Sequence, residues 1–398
     1  MSVLYDLNDP ALAADRFGYY RRLRETDPVH RTPFGYWVLT RYDDLDTLLR
    51  SPNASSAFPK DPGWAMKRGG PTCPVMKSVS KWLLLQDGPD HRRLRKLIAR
   101  VFTPRSIDRL RPRIVGIVDT LIDEMGEGEV DLIRDLALPM PITVVGELLG
   151  IPAEDRAKCR EWTDKVGYVL DPFVTPKRRI AMNKAESEFR AYLLGLMATR
   201  RGAAPEHDLL SVLMQAEDGE QLTDEEIVAN ILLIFNAGHE TTVNLIGNGM
   251  LALLQQPDAL RALRADPGLM PTAVDELSRF DPPVTLATRV LNADTSIGGT
   301  VIPAGATVMG LIDAAGRDPE RYPDPDRLDL SRTEPKTLAF SAGPHFCLGA
   351  VLGKLEASTV FSALLSRYRT IELLREDLAV NQHFNLHGLN ELPLRLTR

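Results

Sequence analysis

Residues 340–349 read Phe340-Ser341-Ala342-Gly343-Pro344-His345-Phe346-Cys347-Leu348-Gly349, and the reading of this stretch decides the fold. One cysteine sits between Gly343 and Gly349, which tolerate φ > 0 or the close approach of a flat ligand. After Gly349 the composition turns helical, with Ala350, Leu352, Lys354, Leu355, Glu356 and Ala357. Cys347 therefore precedes a helix N-terminus, where orphan N–H groups and the helix dipole favour a thiolate over a thiol.

A lone cysteine elsewhere is usually a small buried hydrophobe. Here no second cysteine or histidine stands at zinc-ligand spacing, so a thiolate suits a single axial bond to haem iron. The rest of the chain sets the context. It has 398 residues, 44% hydrophobic and 26% charged, an ordinary globular composition with ample material for a large core. No Pro/Gly/Ser-rich linker, repeat or low-complexity run divides it, which predicts one domain over 1–398. The net charge of −6 argues against nucleic acid as the main partner. Three widely spaced cysteines, Cys73, Cys159 and Cys347, imply a reducing compartment and exclude an Fe–S cluster with four cysteine ligands in this chain. The N-terminus has no basic region followed by an apolar run, and nowhere do about 18 apolar residues follow one another. The expectation is a cytoplasmic protein without a membrane anchor.

The second informative stretch is a long helix. Leu222-Thr223-Asp224-Glu225-Glu226 is a capping box, with Thr223 as N-cap and Glu226 at N3. No proline follows until Pro257, which predicts roughly 33 residues and roughly 50 Å of helix. Ile227, Val228, Ile231, Leu232, Leu233, Ile234 and Phe235 make its start apolar nearly all round, so the helix is central and buried. In its middle stands Asn236-Ala237-Gly238-His239-Glu240-Thr241-Thr242. Gly238 weakens a helix and Glu240 must be desolvated, and rules broken inside a core element point to function. Ala237 and Gly238 remove bulk where a flat cofactor and a small ligand can lie. Thr241 and Thr242 can donate to the i−4 carbonyls, and Glu240 beside Thr241 forms an acid–alcohol pair able to relay protons.

Other segments read as follows. Asp15–Thr26 is a helix, Val29–Thr40 a hairpin and Asp43–Arg50 a short helix. Ser51–Ser80 is irregular, rich in Pro, Gly, Ser and Lys, and placed as a lid over a pocket. Asp87-Gly-Pro-Asp-His-Arg-Arg-Leu-Arg opens a helix with Asp87 as cap, running to about Phe102 and stopped by Thr103-Pro104. His91 and Arg95 share one face and can hold a carboxylate or a phosphate; on spacing alone the segment also reads as a solvated basic helix. Arg92, Arg93, Lys96 and Arg100 add a basic surface. From Ser106 to about Met214 the periodicity is helical. Glu276 and Arg279 stand three apart on a helix over Met270–Phe280, Asp281–Arg289 is extended, and Ile297–Ile302 is a hairpin.

Phe-x-x-Gly-x-His-x-Cys-x-Gly resembles the haem-binding loop of the cytochrome P450 family, with Ser341 where many members carry a further glycine. The run at Ala237–Thr241 resembles that family's oxygen-activation motif. The resemblance covers about residues 15–398 and implies a mainly α fold with a small β region around a buried haem b, with Cys347 as thiolate ligand. It implies cofactor contacts at His91, Arg95, Ala237, Gly238, Arg289, Phe340, Gly343, His345 and Gly349, and catalytic roles for Glu240 and Thr241. Glu276 and Arg279 would lock the core behind the haem, with Arg327 or Arg332 as third member. Val169, Phe173, Val284, Leu286, Ala287 and Phe384 would face substrate. Ala314-Ala-Gly-Arg-Asp-Pro resembles a signature that usually has asparagine where Gly316 stands.

The function implied is insertion of one oxygen atom from O₂ into a mid-sized apolar substrate, free or carrier-bound, in bacterial secondary metabolism. Because the chain has no flavin or Fe–S module, electrons would come from a separate ferredoxin or flavodoxin and its NAD(P)H-dependent reductase, docking on the basic surface. A peroxide-driven haem-thiolate enzyme and a non-catalytic haem-based ligand sensor are the alternatives. The intact Glu240-Thr241 pair argues against the first, and the lack of a visible output domain against the second.

Overall fold

Leu45, Leu48 and Leu49 form one apolar stripe on the helix Tyr42–Arg50, at spacing i, i+3, i+4. The stripe packs into a core with Leu39, Leu291, Ile302, Val308 and Tyr322. Each such leucine contributes about 1.5–3 kcal/mol on burial. The computed structural model that carries these elements describes residues 5–6, 9–171, 174–201, 208–215, 222–334, 336–381 and 384–398.

The core lines a five-stranded sheet in the order Val29–Arg31, Trp37–Leu39, Thr307–Leu311, Leu286–Leu291, Ala54–Ser55. Trp37–Leu39 runs parallel to Thr307–Leu311 and the other pairs are antiparallel. This sheet, the hairpin Thr295–Ile297/Thr300–Ile302, the helix Met270–Phe280 and the loop 340–349 fall in one compact unit of residues 1–56, 248–350 and 385–388.

The second unit comprises residues 57–247, 351–384 and 389–398. It is built from the helices Gly88–Ile98, Pro104–Met125, Pro139–Leu149, Arg156–Gly167 and Pro176–Arg200, with a three-stranded antiparallel sheet of Gly128–Asp131, Pro393–Thr397 and Thr370–Leu373. Pro104, Pro139 and Pro176 each open their helix, where the missing N–H costs nothing. The long helix Asp224–Gln255 belongs to this unit as far as Gly247. The chain passes between units after Ser56, inside that helix, at the first residue of Ala350–Arg367 and on either side of 385–388.

The capping box forms as expected. Thr223 Oγ1 accepts the Glu226 N–H at 3.2 Å, and the Glu226 carboxylate accepts the Thr223 N–H at 2.9 Å. The helix runs unbroken for 32 residues. Three expectations need correction. The stretch 51–80 contains two short helices, Pro62–Lys67 and Pro74–Val79, each opened by its proline, with Asp61 accepting the Gly63 N–H at 2.8 Å. Asp87 occupies the N-cap position of Gly88–Ile98, but its carboxylate accepts from the Ala57 N–H at 3.2 Å instead. That helix ends at Ile98, and Thr103-Pro104 starts the next one, with Thr103 Oγ1 accepting the Ser106 N–H at 3.2 Å. Among the described residues no helix is long and apolar enough to cross a membrane.

Candidate functional site

In the first unit the cysteine loop is closed by its own backbone: the Cys347 N–H donates to the Phe340 carbonyl at 2.8 Å. Cys347 and Phe346 are exposed, and the helix Ala350–Arg367 begins just beyond. Gly343 has φ +65, and a Cβ there would lie 2.6 Å from the Leu49 carbonyl oxygen and 3.1 Å from Arg50 Cα. Glycine is therefore required twice over, for conformation and for the close approach to the end of the Tyr42–Arg50 helix. Ser341, two residues earlier, has φ +63. A side chain in that region costs about 1–2 kcal/mol, and among the described residues its buried hydroxyl has no hydrogen-bond partner. The departure from glycine at 341 thus falls where glycine would be least strained.

Behind the loop, Glu276 and Arg279 form a bidentate pair at 2.7 Å for both bonds, each side chain 1% exposed. Arg279 also donates to the carbonyls of Gly316 at 2.6 Å, Pro325 at 2.9 Å and Arg327 at 3.3 Å. The third member is Arg332, whose Nε lies 3.3 Å from Glu276; Arg327 contributes only its carbonyl. The Asp329 N–H, at 2.9 Å, completes the shell around Glu276. Gly316 has an ordinary helical φ of −63. Its glycine is needed for space, because a Cβ would meet the Arg279 carbonyl oxygen at 2.7 Å.

Arg289 is buried and donates to the Thr288 carbonyl at 2.8 Å. His345 is half-buried in the turn Gly343–His345. Strand alternation puts Leu286 and Ala287 on opposite faces, and Val284 and Ala287 pack against the core described above. Val284 bridges Leu386.

In the second unit the long helix departs from its buried pattern at one place. Ile231, Leu232, Phe235, Val243, Leu245 and Ile246 are buried, whereas Ala237 is exposed and Gly238, Glu240 and Thr241 are half-buried. Gly238 leaves room for Val145, whose Cγ2 would lie 3.0 Å from an added Cβ. Three side chains here bond i−4 carbonyls: His239 Nδ1 to Phe235 at 2.8 Å, Thr241 Oγ1 to Ala237 at 2.7 Å and Thr242 Oγ1 to Gly238 at 3.3 Å.

Three partners of this segment were not legible in the sequence. His239, 2% exposed, places Nε2 at 2.9 Å from the Asp164 carboxylate, and Asn236 donates to the Thr163 carbonyl at 3.1 Å. These bonds tie the segment to the helix Arg156–Gly167. The Thr242 hydroxyl lies 3.1 Å from Glu356 on the helix Ala350–Arg367. Burial pushes the Glu356 carboxyl up to about 8, with the Thr242 bond opposing. The threonine hydroxyl is the donor to the Glu356 carboxyl, with the Gly238 carbonyl as its second acceptor. A polar residue buried on an otherwise apolar helix was the available signal for His239. Glu356 reads in sequence as an ordinary helical residue.

His91 is buried and Arg95 half-buried on Gly88–Ile98. Arg92, Lys96 and Arg100 are exposed, while Arg93 pairs with Glu226. Val169 is fully buried in the turn Tyr168–Leu170 and Phe384 is half-buried. Phe173 lies outside the described residues.

A family profile described as Cytochrome P450 matches residues 38–267 and 268–396. The chain is 43% identical to the cytochrome P450 monooxygenase PikC of Streptomyces venezuelae, over 97% of this chain and 92% of that protein. It is 36% identical to the polyketide biosynthesis cytochrome P450 PksS of Bacillus subtilis (strain 168), over 96% of each. Its fold is similar to the crystal structure of P450BioI in complex with acyl carrier protein ligated to hexadec-9Z-enoic acid, with a TM-score of 0.90, 32% identity and coverage of 96% and 99%. The chain belongs to the cytochrome P450 family. It is a cytochrome P450 monooxygenase with the mainly α fold of that family.

The residues suit a haem-thiolate centre. Among the described residues no three His, Cys, Asp or Glu side chains gather as a metal-ligand cluster. A metal carried in its own macrocycle needs one protein ligand, and Cys347 projects from a loop whose backbone fixes it. The exposed small residue Ala237 interrupts an otherwise buried apolar helix, as a flat apolar group requires. Buried His91 and Arg289 have the donor chemistry for carboxylates.

Proposed function

We propose that Cys347 supplies the axial thiolate to haem b and that the enzyme inserts one atom of O₂ into a mid-sized apolar substrate of bacterial natural-product metabolism. The observation that carries this reading is the backbone-closed loop that presents Cys347 ahead of a helix N-terminus. When bound, haem supplies the redox chemistry of oxygen activation. His91, Arg95, Arg289 and His345 hold its carboxylates, while Phe340, Gly343 and Gly349 shape the loop. Ala237 and Gly238 keep the long helix slim beside it. Thr241, with its hydroxyl on the Ala237 carbonyl, and Glu240 hold and pass protons. Glu276, Arg279 and Arg332 keep the cysteine segment in place.

Electrons come from a separate ferredoxin or flavodoxin with its NAD(P)H-dependent reductase, and Arg92, Lys96 and Arg100 offer it an exposed basic face. The names of PksS and of the P450BioI complex support a polyketide-like or carrier-bound substrate. Val169, Val284, Leu286, Ala287 and Phe384 are the apolar contacts expected for it.

Absorption spectra test this. The purified protein should show a ferric thiolate-haem spectrum, and some member of a panel of macrolides, polyketides, terpenoids and acyl carriers should shift it from low to high spin. Cys347→Ala should lose the thiolate signature entirely. A variant that keeps that signature would remove Cys347 from the reading.

A further inference from the structure

We propose that Arg68 is a specificity-determining positioning residue that fixes the stretch 57–80 to the turn Tyr168–Leu170. It rests on the reading of 51–80 as a lid over the pocket and of Val169 as a substrate-facing residue. Arg68 is 1% exposed and caps the short helix Pro62–Lys67. Its guanidinium donates to three carbonyls: Nε to Val169 at 2.5 Å, Nη2 to Asp171 at 2.6 Å and Nη1 to Trp64 at 3.2 Å. It stacks on the Trp64 ring at 3.7 Å. The nearby Asp171 carboxylate lies 3.2 Å from Arg178, which itself stacks on Tyr168 at 4.2 Å. Among the described residues, Arg68 is therefore a buried cation whose hydrogen bonds all go to carbonyls. Burial lowers its guanidinium to about 10, with Asp171 opposing.

Such an arrangement is costly for packing alone, since an apolar residue would fill the space without desolvating a charge. What it supplies is geometry. A planar fork with five donors fixes two carbonyls, more than 100 positions away in sequence, relative to the Pro62–Lys67 helix. One of them belongs to Val169, a substrate-facing candidate whose side chain is fully buried. The fork thus sets both the position of Val169 and the separation of the lid stretch from the turn Tyr168–Leu170. Substrate size is then selected by how far this joint opens. Lysine, a point donor, can reach one carbonyl but not hold three.

The test uses the full-length haem-loaded protein with imidazole and a bulky triaryl azole as probes. Hydrogen exchange is followed alongside the stopped-flow kinetics of azole binding to the ferric centre. Arg68→Met and Arg68→Lys should each speed amide exchange in both 57–80 and 166–171 by about tenfold. The association rate of the bulky azole should rise by about tenfold, with that of imidazole unchanged within about twofold. Unchanged exchange in either segment, in a variant that folds, overturns the joint. Faster exchange with unchanged discrimination between the azoles overturns the specificity role and leaves Arg68 a packing residue. If the methionine variant does not fold, the lysine variant decides alone. A protein without a thiolate-haem spectrum would defeat the haem reading, while the exchange measurement would still judge Arg68.

Discussion

Glu276, in the unit of the cysteine loop, lies between two guanidinium groups and a backbone N–H. Glu356, on the helix that packs by Thr242, has a single hydroxyl as its hydrogen-bond partner among the described residues. Both are about equally buried. The first carboxylate is held by two cations, so its geometry is fixed and it holds segments together. The second has no cation, so burial makes it keep a proton near neutrality. Two buried acids of one chain thus differ in state: one is held by ion pairs, and the other is kept neutral by burial.

The comparison breaks most visibly at Arg279. Arg279→Ala leaves the Glu276 charge buried beside Arg332 alone and three carbonyls without their donor. A loss of about 3–5 kcal/mol in denaturant unfolding is expected. A variant as stable as the parent would show that the pair does not hold the core. Glu356→Gln should do far less near pH 7, within about 1 kcal/mol, because it replaces one neutral hydrogen-bonding group by another. Its effect lies in the pH profile. The folded state keeps a proton that the unfolded chain releases above the ordinary value of 4.5. Stability in the parent is therefore fullest below that value and is lost as pH rises through about 8, by at most about 1.4 kcal/mol per pH unit. Glutamine should flatten that slope in melts taken across the range, and an unchanged slope would mean that Glu356 is ionised like any surface acid. The smallest effect is expected at Ser341. Ser341→Gly relieves the left-handed serine but frees the unfolded chain, for a net gain of about 1 kcal/mol or less. A loss of stability there would show that the loop draws on the serine hydroxyl.

The sequence was most readable where a local pattern carries its own geometry. The capping box at Thr223, the unbroken long helix and the Glu276–Arg279 spacing all depend on residues three or four apart, and all three formed. Choosing Arg332 over Arg327 required the chain to fold back, since both follow the helix by some fifty residues. Glu356 was hidden for the same reason: its partner Thr242 is 114 positions away. The misreading of Asp87 has a further cause. A carboxylate at an N-cap can serve either the helix or a passing N–H, and Ala57 takes it. Pro62 and Pro74 open their helices inside a stretch whose polar, glycine-rich composition reads as irregular.

Gly316 acts as a spacer gauge. Its α-carbon faces the Arg279 carbonyl with no allowance for one more carbon, so a larger residue can enter only if the helix Met270–Phe280 stands farther off. The anchor at Arg279 and the residue at 316 are thereby coupled, since neither backbone can move in without meeting the other.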